Sequence, residues 1–208
     1  MTLCLLGEHL DLWRGEHPVL KAVSVAARSG ELLVLTGPNG SGKTTLLRTL
    51  CGLLQPEQGR VLWQGKNIRE DLPAYHAQLA YLGHEPPLKA DLSAAENLRF
   101  WIGIRRPVSR IEIATALRRV GGDAWADQPV RTLSAGQKRR AALAGVILCA
   151  APLWLLDEPA TNLDADGQGV VASLIEEHVA SGGMVVAAVH QGLPVSRIIA
   201  RQLELPGA

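Results

Sequence analysis

Residues 31–44 read ELLVLTGPNGSGKT. The first six are a short apolar run with the composition of a buried strand. Gly37-Pro-Asn-Gly-Ser-Gly42-Lys43-Thr44 then matches GxxxxGK[ST] at every fixed position. The next stretch, KTTLLRTLCGLL, has helical periodicity and is expected to end near Gln55-Pro56. Strand, glycine loop and helix in that order form a phosphate cradle. The glycines let backbone N–H groups turn inward, and the helix N-terminus adds a favourable dipole. Gly37, Pro38, Asn39, Gly40, Ser41, Gly42, Lys43, Thr44 and Thr45 are therefore candidate nucleotide-binding residues. Lys43 suits the β- and γ-phosphates of a nucleoside triphosphate, and the Thr44 hydroxyl suits Mg²⁺.

Working outward, the first thirty residues carry turn signals at Gly15, Pro18 and Gly30 and suggest a small β layer. Val61-Leu62-Trp63 followed by Gln64-Gly65 reads as a strand and turn, and residues 79–83 as another strand. Ser93-Ala-Ala-Glu96 and Ser109-Arg-Ile-Glu112 both fit a capping box that opens a helix. A helical insert is expected over residues 84–150. Residues 152–157 and 184–189 return to buried-strand patterns, with a helix over 165–180 between them, closed by Ser181-Gly182-Gly183. Buried strands alternating with helices imply an α/β fold with a mostly parallel sheet covered on both faces. The expected organisation is one domain, with residues 1–83 and 151–208 as the nucleotide core and 84–150 as a helical subdomain.

Composition narrows the function. The chain has 208 residues, 47% of them hydrophobic and 20% charged, which suits a globular core and excludes disorder. Twenty-one basic against 20 acidic residues leave a net charge of +1, without the basic excess of a nucleic-acid binder. The uncharged run 141–156 is too short to span a bilayer and contains Pro152, so neither a channel nor a permease is expected. The opening MTLCLLGEHLDLWRGE lacks the basic and long apolar segments of a signal peptide. Cys4, Cys51 and Cys149 are odd in number and far apart, so neither a disulfide framework nor a zinc knuckle is expected. That usage points to a reducing compartment. The guanine-reading NKxD tetrapeptide is absent, which disfavours a GTPase.

The downstream motifs carry a resemblance. Leu133-Ser134-Ala135-Gly136-Gln137 precedes KRRAALAG, and residues 153–159 read LWLLDEP. Thr161-Asn-Leu-Asp164 follows, then His190 after MVVAAV. In that order and spacing the set resembles the ATP-binding subunit of ABC transporters over essentially the whole chain. That implies a P-loop NTPase with a RecA-like core, an N-terminal antiparallel β layer and an inserted helical subdomain. Asp157, ending an apolar strand, can hold the Mg²⁺ shell, and Glu158 beside it can orient and deprotonate the attacking water. Alone, such an Asp-Glu pair could be an ordinary strand-end feature. In the family His190 contacts the γ-phosphate and orients the water with Glu158. The resemblance also implies that the signature Leu133, Ser134, Ala135, Gly136 and Gln137 binds ATP held by the opposite subunit, so that two chains would pair head to tail as a homodimer with Asp164 on the seam.

Trp13 is the candidate adenine stacker; Arg14 is the alternative through its guanidinium plane, and simple packing of Trp13 competes with both. The other tryptophans read as core or interface.

One position departs from the family. After LAYLG a glutamine is usual, touching Mg²⁺ and linking the site to the membrane subunit; here it is His84. Neutral imidazole is a poor ligand for hard Mg²⁺, which leaves action through water or a coupling role. The same segment, YHAQLAYLGHEPPLK (75–89), resembles one branch, the ATP-binding proteins of cytochrome c maturation, or haem exporters. VLWQG (61–65), the ENLRFW run (96–101) and VHQ (189–191) agree with it. That branch implies a peripheral subunit on the cytoplasmic face of the inner membrane. It also implies integral membrane permease subunits as partners, haem as an indirect cargo and no nucleic acid. The competing readings are an exporter ATPase with another cargo, and an ABC-type ATPase acting on DNA or ribosomes. Against the latter, residues 44–133 hold no heptad run, and the chain carries one cassette.

Overall fold

A computed structural model describes residues 4–190 and 192–206; Gln191, the last residue of VHQ, lies outside them, as do residues 1–3 and 207–208. The chain begins with two long antiparallel strands, β1 (Cys4–Arg14) and β2 (His17–Arg28). β3 (Leu32–Thr36) leads through the glycine loop into α1 (Lys43–Leu50). β4 (Gln58–Trp63) and β5 (Lys66–Asn67) return to the first layer and complete an antiparallel sheet of order β2-β1-β4-β5. Gln64 and Gly65 both take positive φ, the backbone of a tight hairpin turn.

α2 (Leu72–Ala77) and β6 (Leu79–Leu82) follow. Then come α3 (Ala94–Gly103), α4 (Arg110–Arg119) and α5 (Ala135–Cys149). The second half closes with β7 (Leu153–Asp157), α6 (Ala165–Ala180), β8 (Met184–Ala188) and β9 (Ala200–Glu204). The second sheet has the order β6-β7-β8-β3-β9 and is parallel throughout.

Alternate residues of the central strands divide between two cores. Leu33, Leu35, Leu153, Leu155, Met184 and Val186 pack with Leu46, Leu47 and Leu50 of α1 and with the antiparallel layer. Val34, Trp154, Leu156, Val185 and Ala187 face the other way, onto α6 and the helices α3–α5. Apolar contact on both faces is why these strands read as continuous hydrophobic runs.

The capping boxes expected at Ser93 and Ser109 form, each serine accepting from the backbone N–H of its glutamate. A third, Ser134 with Gln137, opens α5. Helix α1 stops earlier than the periodicity predicts: Gly52 takes φ +79°, a left-handed residue that ends the run at Leu50. Strand β9 and the short α2 were not anticipated. Trp63, Trp125 and Trp154 are buried, and Trp101 is half-buried.

Helix α5 is tightly seated. At Gly145 an added Cβ would lie 2.1 Å from the Trp101 ring of α3. Gly145→Ala gains about 1 kcal/mol of helix propensity, but overpacking typically costs about 1–3 kcal/mol. We expect a net loss of stability of about 1 kcal/mol, read as a lower urea midpoint at unchanged slope. A raised midpoint would show that Trp101 moves aside freely.

Candidate functional site

The C-terminal ends of β3, β7 and β8 meet at one edge of the parallel sheet. A cavity of about 350 Å³ opens there, lined by residues that include Asn39, Gly40, Ser41, Gly42, Lys43, Thr44, Thr45, His84, Glu158 and His190. Segments far apart in sequence converge on it because β7 pairs with β8 and β8 with β3.

The loop closes tightly. Gly37 takes φ +137°, and a Cβ there would meet the Leu205 carbonyl at 2.5 Å. Gly42 takes φ +93°, and its Cβ would meet the Val19 carbonyl at 2.9 Å. Both positions demand glycine on conformation and on space. Lys43 is buried, and its Nζ donates to the carbonyls of Gly37 (2.7 Å) and Pro38 (3.0 Å), which holds the ammonium at the loop.

The Thr44 hydroxyl donates to Asp157 Oδ1 at 3.1 Å, joining α1 to the end of β7. Asp157 is 1% exposed, and its Oδ2 has no hydrogen-bond partner; nor has Ser41 Oγ. A spare carboxylate oxygen beside a threonine hydroxyl is a donor set that fits a hard divalent cation such as Mg²⁺. A buried hydroxyl left over in a glycine cradle fits a phosphate oxygen.

Glu158 follows with φ +53°, a strained conformation for a non-glycine residue. Its N–H donates to the Ala188 carbonyl. Its carboxylate accepts from Thr161 Oγ1 at 3.2 Å and lies 3.5 Å from His190 Nε2. The His190 N–H donates to the same carboxylate at 3.4 Å. A carboxylate held on two sides, with its own edge on the cavity, is geometrically suited to accept a proton from water.

His84 lines the same cavity as the phosphate loop residues. Trp13 does not line it and is 48% exposed; Arg14 and Val19 form that wall instead. The signature residues are also elsewhere. Ser134 and Ala135 are exposed, Leu133 is buried, and none of residues 133–137 lines the cavity of its own chain. Gly136 packs close to the loop 160–164: a Cβ there would lie 2.8 Å from the Asn162 carbonyl. Asp164 caps α6, its carboxylate accepting from the Gly167 N–H at 2.9 Å.

The ABC transporter model matches residues 20–161, more than half of the chain. This chain belongs to the ABC transporter family. The cytochrome c biogenesis ATP-binding export protein CcmA of Methylococcus capsulatus is 43% identical over 192 residues, 92% of this chain and 93% of that protein. The protein of the same name from Salmonella typhi is 41% identical over 202 residues, 96% of this chain and 97% of that one. Among solved structures, a putative ABC transporter ATP-binding protein from Pyrococcus furiosus superposes with a TM-score of 0.83 at 26% identity, covering 97% of both chains. The ABC-type α/β fold anticipated from the motifs is therefore the fold of this chain.

Two residues of the site escaped the motif reading. Thr161 begins the TNLD tetrapeptide, whose sequence does not show that its hydroxyl donates to the Glu158 carboxylate. Arg139 lies within KRRAALAG without a role in any motif, yet it is 4% exposed and bonded to the turn that carries Glu158. Its one sequence signal is its place among the charges at 138–140 that directly precede the uncharged run 141–156.

The Ser134 cap can be separated from any ligand role. Ser134→Ala removes the side-chain bond to the Gln137 N–H and is expected to cost about 1 kcal/mol of folding stability. Urea unfolding without nucleotide reads it; an unchanged midpoint would mean the capping box contributes nothing to α5.

Proposed function

We propose that this chain is the ATP-hydrolysing subunit of a membrane ABC transporter complex in c-type cytochrome biogenesis, coupling hydrolysis to haem export or to release of a haem-loaded chaperone. The observation that carries the reading is identity above 40% to CcmA proteins along nearly the full length of both chains. The site geometry supports the ATPase half of it.

The chain's own groups divide the work. The N–H groups of loop 37–42 and the Lys43 ammonium bind the phosphates of ATP. Thr44 and Asp157 are the residues that would hold Mg²⁺, which when bound neutralises phosphate charge. Glu158 takes the proton of the attacking water. His190 contacts the γ-phosphate and keeps Glu158 in register. Arg14, on the cavity wall, is better placed than Trp13 to stack on adenine. His84 acts through water or as the coupling residue, since imidazole is a poor Mg²⁺ ligand.

The distance of residues 133–137 from their own cavity supports a head-to-tail homodimer, in which each chain lends Ser134 and Gly136 to its partner's ATP. Asp164 then lies on the seam. Among the described residues no helix is long and apolar enough to cross a membrane. Integral permease subunits supply the membrane part, and this subunit is peripheral, on the cytoplasmic side of the inner membrane. Residues 84–150 act as the helical subdomain that docks on them. A groove of about 690 Å³, lined among others by Leu53, Tyr81, Pro87, Trp101 and Arg105, supports that docking. Haem is handled by the partners, and no nucleic acid is involved.

Glu158→Gln is expected to retain ATP binding while turnover falls by about 10²–10⁴-fold, the usual share of a general base. Steady-state phosphate release with nucleotide titration checks this; turnover near wild type would remove Glu158 as the base. In cells whose own subunit is deleted, this chain should restore c-type cytochromes and its Lys43→Ala variant should not. Restoration by Lys43→Ala would contradict the reading.

A further inference from the structure

We propose that Arg139 is a positioning residue: its guanidinium ties the first turns of α5 to the His84 loop and to the Asp157–Glu158 turn, so that α5 sets where both cavity-lining side chains point. The proposal rests on the reading of Glu158 as the hydrolytic base.

The geometry is a four-way staple. Nη1 donates to the carbonyls of Gly83 (2.7 Å) and His84 (3.1 Å). Nη2 donates to the carbonyls of Asp157 and Glu158, the latter at 2.8 Å. All four acceptors are backbone atoms, and they belong to two segments, 83–84 and 157–158. A buried cation is costly unless its hydrogen bonds are made. Burial pushes Arg139 down to about 10, opposed by Asp157, Glu158 and Tyr81, and it stays cationic at neutral pH. A planar fork can hold two loops at a fixed separation; a lysine ammonium is a point charge and cannot.

The target of the staple points to function. Glu158 has a left-handed backbone, which persists only where its surroundings over-determine it. Its N–H is held by the Ala188 carbonyl and its carbonyl by Arg139, so the residue is clamped on both sides. The phosphate loop, by contrast, makes no hydrogen bond to Arg139 among the described residues. Arg139 therefore bears on the hydrolytic carboxylate and on His84 without touching the binding loop. It also starts from the helix that Ser134 caps. A signature engaged by a second chain would be mechanically joined to the hydrolytic turn by one side chain.

The test uses the full chain with Arg139→Gln and Arg139→Lys. In both, kcat is expected to fall about 10- to 100-fold while KM for ATP stays within about twofold, the pattern of a misplaced catalytic group with intact binding. Hydrogen exchange without nucleotide should quicken at the amides of residues 83–85, 158, 160 and 161 and stay unchanged at those of 39–46. The lysine variant keeps the charge and loses the fork. Wild-type kcat in Arg139→Lys with the slow exchange retained would overturn the proposal. So would loss of kcat, KM and exchange protection together across the chain, which would make Arg139 merely structural. If the wild-type chain itself failed to hydrolyse ATP, the Glu158 reading would fall, and the exchange pattern alone would still decide whether Arg139 holds the two loops.

Discussion

A parallel sheet sealed on both faces has no place for polar chemistry except at the ends of its strands. Everything in the site follows from that restriction. β3, β7 and β8 are apolar until their last residues. Asp157 pairs with Ala188, and Leu35 with the same Ala188, so the three strands end level. The loop after β3, the carboxylates after β7 and the histidine after β8 must then share one edge. Thr44 to Asp157, a contact across 113 positions of sequence, is the first bond that this alignment makes possible.

The parts written as local patterns were legible. The phosphate loop, the Asp-Glu pair, His190 and two capping boxes each depend on neighbours within a few residues. What depended on distant partners was not. β9 has only Ala200 and Leu203 half-buried among exposed residues, and it is a strand because β3 offers it an edge. The wall of the cavity went to Arg14 and not Trp13 because β1 carries register shifts against β2, which reset which residues face inward. Arg139 was invisible for the same reason: its acceptors are carbonyls, which leave no trace in side-chain identity.

Helix α5 is the piece in which these levels meet. It is buried over most of its circumference, so its sequence lacks the amphipathic stripe of a surface helix. Gly145 lets the Trp101 ring of α3 approach closely, and the shared core runs without a break from α3 and α4 into the strands. Its N-terminus is exposed and capped, while a little over one turn further on its Arg139 binds the carbonyls of Asp157 and Glu158. The exposed cap at Ser134 and the buried grip of Arg139 are thus only about 7 Å apart along the helix axis.

The edge strand β9 has a consequence of its own. Glu204 pairs with Thr36, Leu205 donates to the Thr36 carbonyl, and the Leu205 carbonyl occupies the space a side chain at Gly37 would need. The last described turn of the chain is a wall of the phosphate loop. Trimming the chain back to residue 199 would open a bare sheet edge, an invitation to intermolecular pairing. It would also unseat the backbone that shapes the loop. Solubility and nucleotide affinity should therefore be lost together in such a truncation, although none of the described residues removed lines the cavity itself.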